Sequence, residues 1–139
     1  MRAAIYRSIL LGLALSVSAD AWSRDLAGQW ELNIENREHH VVTALVIEFT
    51  ADPARTCADG IWLRVDVVSA TTEDNKFFPV SDQLSYNVEN NHLVLDRGGV
   101  CDGGAFLPGA LNDETIRGKY ISRARGLGQL GFFTLRKRK

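Results

Sequence analysis

The chain has 139 residues, 45% of them hydrophobic, with three Trp, three Tyr and six Phe, which excludes the disordered, collagenous and low-complexity classes and sets one domain as the prior. Sixteen Lys and Arg against 17 Asp and Glu leave a formal charge of -1, so no whole-chain field calls for a nucleic-acid partner. Composition speaks to compartment and architecture; it names no reaction and no ligand.

Residues 1–19 open with Arg2 and Arg7, run through an apolar stretch at 9–17 and end in small side chains, the pattern of a secretory signal peptide. Cleavage after Ala19 or Ala21 leaves 20–139 as one exported domain, periplasmic or secreted. The apolar stretch is well short of the ~20 residues that span a bilayer. No later stretch reaches that length, so no transmembrane segment is expected after cleavage. The mature chain keeps Cys57 and Cys101, and two cysteines in an oxidising compartment most simply pair. Such a bond would stabilise the fold by about 4 kcal/mol in the chain-entropy model. Neither cysteine belongs to a CxxC or has a neighbouring His, so a redox pair or a metal site lacks the spacing it needs.

Beyond the leader, apolar residues alternate with a period of two. Strands are expected over 29–34, 41–50, 61–68, 84–88, 93–96, 115–122 and 130–136. In the second of these Val41, Leu45, Ile47 and Phe49 share a face, while Glu48 and Thr50 fall on the other, as in a half-buried strand. Turn residues stand between the runs, among them Ala51-Asp52-Pro53, Ala58-Asp59-Gly60, Asn90-Asn91, Pro108-Gly109 and Asn112-Asp113-Glu114. No run of helix length carries a 3.6-residue apolar period. The expected fold is all-β, an antiparallel up-and-down β-barrel of about eight strands. Hairpin connections let each strand pair with the next and the first with the last, which leaves no exposed edge.

The first strand opens with Gly28-Gln29-Trp30, and this Gly-x-Trp resembles the opening signature of the lipocalin (calycin) superfamily. The resemblance implies a lipocalin-like barrel closed at one end by Trp30 behind Gly28, with a basic side chain from near the last strand packed on the indole. Arg136 is the first candidate for that cation and Arg123 the second. At about 119 mature residues, and without a Thr-Asp-Tyr motif, the barrel would be small and hold less cavity than its relatives. The same opening is similar to that of secreted bacterial metalloprotease inhibitors, small barrels whose N-terminal arm enters the protease cleft. Residues 20–24 would be that arm.

Chemical constellations are sparse. Gly126-Leu127-Gly128-Gln129-Leu130-Gly131 spells GxGxxG, but a dinucleotide site needs a helix after the glycines to receive the pyrophosphate, and here a strand and the chain end follow. A hairpin turn is the better reading. His39 and His40 are adjacent, so on a strand they would point to opposite faces; a solvated loop between the first two strands is expected rather than a metal site. There is no GxSxG elbow and no free thiol once the cysteines pair, so no catalytic residue, metal or cofactor is expected.

Charge is distributed unevenly. All 17 acidic residues lie within 20–115 beside only six basic ones, while 116–139 carries eight basic residues and no acidic one. Arg117, Lys119, Arg123 and Arg125 would form a basic face on the terminal hairpin, suited to an anionic envelope component or an acidic protein. The alternative is pairing across the barrel seam with Glu31 and Glu35. The functional expectation is an exported, non-enzymatic binding protein. In a first form it holds a small apolar or amphipathic ligand among Trp30, Phe49, Leu63, Val65, Tyr86, Tyr120 and Phe132. Alternatives are a protein-binding module such as a protease inhibitor, or a structural envelope protein without ligand.

Overall fold

The computed structural model describes residues 26–98, 103–112, 114–124, 126 and 128–139. The leader and arm at 1–25, Cys101 and Arg125 lie outside the described residues. Eight strands follow in order: β1 (Gln29–Glu35), β2 (Val41–Pro53), β3 (Leu63–Thr72), β4 (Leu84–Glu89), β5 (His92–Arg97), β6 (Ala105–Ala110), β7 (Thr115–Ser122) and β8 (Gln129–Lys137). Each pairs antiparallel with the next, and β8 closes on β1 in a single barrel.

Alternation explains the closure. Trp30, Leu32 and Ile34 of β1 face inward and are at most 1% exposed, as are Leu45 and Ile47 of β2, Leu93 and Leu95 of β5, and Phe133 and Leu135 of β8. Each such side chain contributes about 1.5–3 kcal/mol relative to exposure. The β1–β8 seam runs from Trp30 opposite Lys137 to Glu35 opposite Phe132, joining the first strand to the last. Asn90 and Asn91 both take positive φ, 50° and 64°, and join β4 to β5 in the two-residue hairpin that such residues favour.

Four expectations are corrected. Pro108-Gly109 is no turn: both lie in β6, a strand the turn signal hid. Pro108 sits opposite Val94, and on its other side the β6–β7 ladder skips from Phe106–Ile121 to Gly109–Gly118, so the missing N–H falls where no ladder bond is made. Ala51-Asp52-Pro53 is likewise strand; β2 runs on until Pro53 meets Leu63. Ile61 and Trp62 precede β3 rather than belonging to it, and Ile61 is 80% exposed. Val41 turns outward, because an irregularity at the β1–β2 junction moves the register from Ile34–Thr43 to Glu35–Val41 and reverses the face of every residue before it.

Two glycines fix how tightly the wall can curve. A Cβ on Gly118 would lie 1.9 Å from the Pro108 carbonyl oxygen and 2.6 Å from the Phe133 ring, and one on Gly131 would lie 1.9 Å from the Glu35 carbonyl oxygen. Phe133 therefore packs across bare backbone, and β8 approaches β1 more closely than any side chain would permit.

Candidate functional site

Six of the seven expected lining residues lie inside the barrel. Phe49 packs edge-on against Trp30 at 6.0 Å and against Tyr86 at 4.9 Å. Val65 stands opposite Phe49 on one side and Leu84 on the other, and Leu63 stands opposite Tyr86. Tyr86 donates its hydroxyl hydrogen to the Thr50 carbonyl at 2.8 Å. Tyr120 lies toward the other end, donating to the Phe77 carbonyl at 2.6 Å between the rings of Phe77 and Phe78. Burial pushes both tyrosine hydroxyls above their ordinary pKa; for Tyr120 the neighbouring Arg97 opposes part of that rise. All six belong to the core cluster or pack against it.

Phe132 is not among them. Phe133 takes the inward position, and period two sends Phe132 outside, where its ring stacks on His39 at 4.1 Å. Arg136 is also turned outward and exposed. The cation on the Trp30 indole is Lys137, its Nζ 5.7 Å from the ring centroid, because Lys137 and not Arg136 is the cross-strand partner of Trp30. The indole N–H donates to the Leu26 carbonyl at 3.1 Å, tying the segment before β1 beneath the barrel.

Arg123 leaves the expected basic face as well. Its side chain is 9% exposed, pairs with the fully buried Asp96 carboxylate and lies over the Phe106 ring at 4.2 Å. Burial lowers its pKa below the ordinary guanidinium value. Arg97, on the opposite face of the same strand, points inward, pairs with Asp82 and stands near the rings of Phe78 and Tyr120. Sequence reading missed both ion pairs. The alternation Leu93, Leu95, Arg97 does turn Arg97 inward, but nothing local shows that a loop 15 residues away brings Asp82 to it.

On the outside of β7 and β8, Arg117, Lys119 and Arg136 are exposed and share one face. Arg117 faces Thr134, Lys119 faces Phe132, and Arg136 lies between Thr115 and Glu31. The expected seam partners are engaged elsewhere: Glu31 accepts a hydrogen bond from Asn33 at 3.1 Å, and Glu35 holds His39 at 2.9 Å and Thr134 at 3.3 Å. No ion pair to these three cations is found among the described residues.

The strip leads at its Lys119–Phe132 end into an open groove of about 550 Å³ lined by Arg37, Gly126, Gly128, Gln129 and Phe132. Arg37 is held across it by two hydrogen bonds to the Gln129 carbonyl, 2.8 and 3.2 Å. Gly126 and Gly128 of the GxGxxG run lie between β7 and β8 with positive φ, and Gly131 lies within β8. His39 and His40 lie in the 36–40 loop, and His40 contacts Glu73 at 3.0 Å. No group of three His, Cys, Asp or Glu able to hold a metal occurs among the described residues. Cys57 is not a free thiol; its expected partner, Cys101, lies outside the described residues.

The chain matches no family model, and no curated protein or solved structure is similar to it at a significant level.

Proposed function

We propose that this is an exported, non-enzymatic binding protein of lipocalin-like build that works through the outside of its barrel. The basic strip of Arg117, Lys119 and Arg136, with the Arg37–Phe132 groove at its end, receives an anionic component of the cell envelope. One observation carries this reading: three exposed cations share a face and have no carboxylate within ion-pair distance among the described residues. Unpaired cations of one sign add to a local field that attracts anions, and that field is screened within about 8 Å at physiological salt.

The reading moves the binding surface away from the interior. Trp30, Val65, Tyr86 and Tyr120 spend their surface on one another, as in a small barrel filled by its own side chains. Export by a cleaved leader and a Cys57–Cys101 bond belong to the same proposal.

The test is sedimentation of the exported chain with vesicles of anionic or neutral phospholipid across a salt series. Binding should be confined to the anionic vesicles, weaken as salt rises and be lost when Arg117, Lys119 and Arg136 are all changed to Ser. Equal binding to both vesicle types, or binding unaffected by the triple change, would sink the proposal. Uptake of a hydrophobic fluorophore by the folded protein would return the site to the interior.

A further inference from the structure

The basic strip has its cations on β7 and β8, and the acids that face it across the seam lie on β1. Glu31 stands opposite Arg136, and Glu35 opposite Phe132. The two are held differently. Glu31 accepts from the amide of Asn33 on its own strand. Glu35 reaches two other parts of the chain: Oε1 accepts from the Thr134 hydroxyl of β8 at 3.3 Å, and Oε2 meets Nδ1 of His39 at 2.9 Å. Thr134 is the cross-strand partner of Arg117, and Phe132 that of Lys119. Glu35 is therefore tied to the strip on one oxygen and to a titratable ring on the other.

The loop holds His39 in place. Asn36 accepts the backbone N–H groups of Glu38 and His40 on its side chain, at 3.1 and 2.9 Å, and that of His39 on its carbonyl at 3.1 Å. This folds 36–40 back on itself with His39 at a φ of 62°. The imidazole then lies flat on Phe132, with ring centres 4.1 Å apart and planes 17° from parallel, and Phe132 is part of the groove wall. The His39 side chain is 64% exposed and that of Glu35 17%, so solvent can supply a proton to the ring while the carboxylate is largely withdrawn from it. The other charged and titratable groups around His39 are Lys119 opposite Phe132, Arg37 turned to the Gln129 carbonyl, and Glu38 and His40 of its own loop, His40 being held by Glu73.

We propose that His39 and Glu35 regulate the strip by pH, so that it holds anions more tightly in acid; this rests on the strip being the binding surface. A carboxylate only accepts hydrogen bonds, so in the neutral ring Nδ1 carries its hydrogen toward Glu35. The pair then bears a single negative charge two strands from Lys119, about 10 Å by strand spacing. Histidine takes its second proton between about pH 5 and 8, here at Nε2, and the pair becomes neutral. The strip loses a negative neighbour while its own cations stay where they are. At low salt, where screening is weak, one charge at that distance changes the affinity for an anion by about two- to threefold.

The experiment is sedimentation of the exported chain with anionic phospholipid vesicles at low salt, from about pH 7.5 to about pH 5.5, with the His39 ring followed by nuclear magnetic resonance. The wild-type chain should bind about two- to threefold more tightly at the acid end, with the change centred where His39 titrates. His39→Asn, whose side chain tolerates positive φ, should lose that gain, and His92→Gln, at the start of β5, should keep it. Glu35→Gln should bind at the alkaline end as tightly as wild type does in acid. Its remaining gain should move to lower pH, because the carboxylate that favours the imidazolium is gone. Wild-type binding that does not vary with pH, a gain kept by folded His39→Asn, or a gain lost in His92→Gln overturns the proposal and leaves the strip standing. No binding to anionic vesicles at either pH overturns the strip and this proposal with it. If His39→Asn fails to fold, Glu35→Gln decides, and an unchanged affinity at the alkaline end overturns the proposal.

Discussion

Tyr86 and Tyr120 are the residues whose environment makes the clearest statement about pH. Each is buried and donates to a backbone carbonyl, so ionisation would leave a phenolate beside an acceptor in a poor solvent for charge. Both folded-state pKa values are raised above 10.0, with burial the first cause. A raised value means that the contribution to stability is complete below the unfolded pKa and disappears as pH rises through the folded one. Stability should therefore hold up to about pH 10 and then fall, with tyrosinate absorbance appearing together with unfolding. A chain that ionises both tyrosines at the free value while keeping its near-ultraviolet dichroism would contradict this. The Asp96–Arg123 pair belongs to the same scale. Removing one partner of a buried pair commonly costs about 3–5 kcal/mol because the other is left uncompensated, which makes Arg123 a poor choice for probing the basic face.

Among the elements, β6 shows how a residue can mislead when read locally. Pro108-Gly109 has the composition of a turn, and no signal within the strand announces that the neighbouring ladder has a gap at that point. What fits Pro108 is Gly118 beside it, whose missing side chain leaves room for the Pro108 carbonyl and the Phe133 ring. Gly118→Ala should cost about 1–3 kcal/mol through overpacking, read as a fall in Tm of several degrees with the strand content retained; an unchanged Tm would mean that the wall has slack there. Phe132 and Phe133 give the corresponding lesson for β8. Alternation was legible, but two adjacent aromatics leave its phase open, and only the register against β1 sends Phe133 inward. The same one-residue phase separates Arg136 from Lys137.

Closure is a property of the whole molecule. Trp30 joins the segment at Leu26, the ring of Phe49 and the ammonium group of Lys137, three parts of the chain that meet only when β8 pairs with β1. Trp30→Ala should cost about 3–5 kcal/mol and open that end of the barrel. Denaturant titration would show a lower midpoint, and exchange should rise first along 132–137. A loss confined to the Leu26 segment would show that Trp30 anchors the entry and not the seam. At this scale charge also acquires a location: the basic end of the sequence becomes the outer wall of β7–β8.

The sequence by itself determined the class. Period-two alternation broken by turn residues commits the backbone to strands, and hairpin-length connections commit those strands to pair in order, which is enough for an antiparallel barrel. Tertiary structure decided which side chains work on which side of the wall. Inward and outward depend on register, and register is set by bulges, by bare-backbone contacts such as Gly118 against Pro108, and by where β4 stops pairing with β3. For that reason six of the seven expected lining residues share the interior, while Phe132, Arg136 and Arg123 lie elsewhere than expected. Each of these is fixed by a neighbour distant in sequence, which no local pattern encodes.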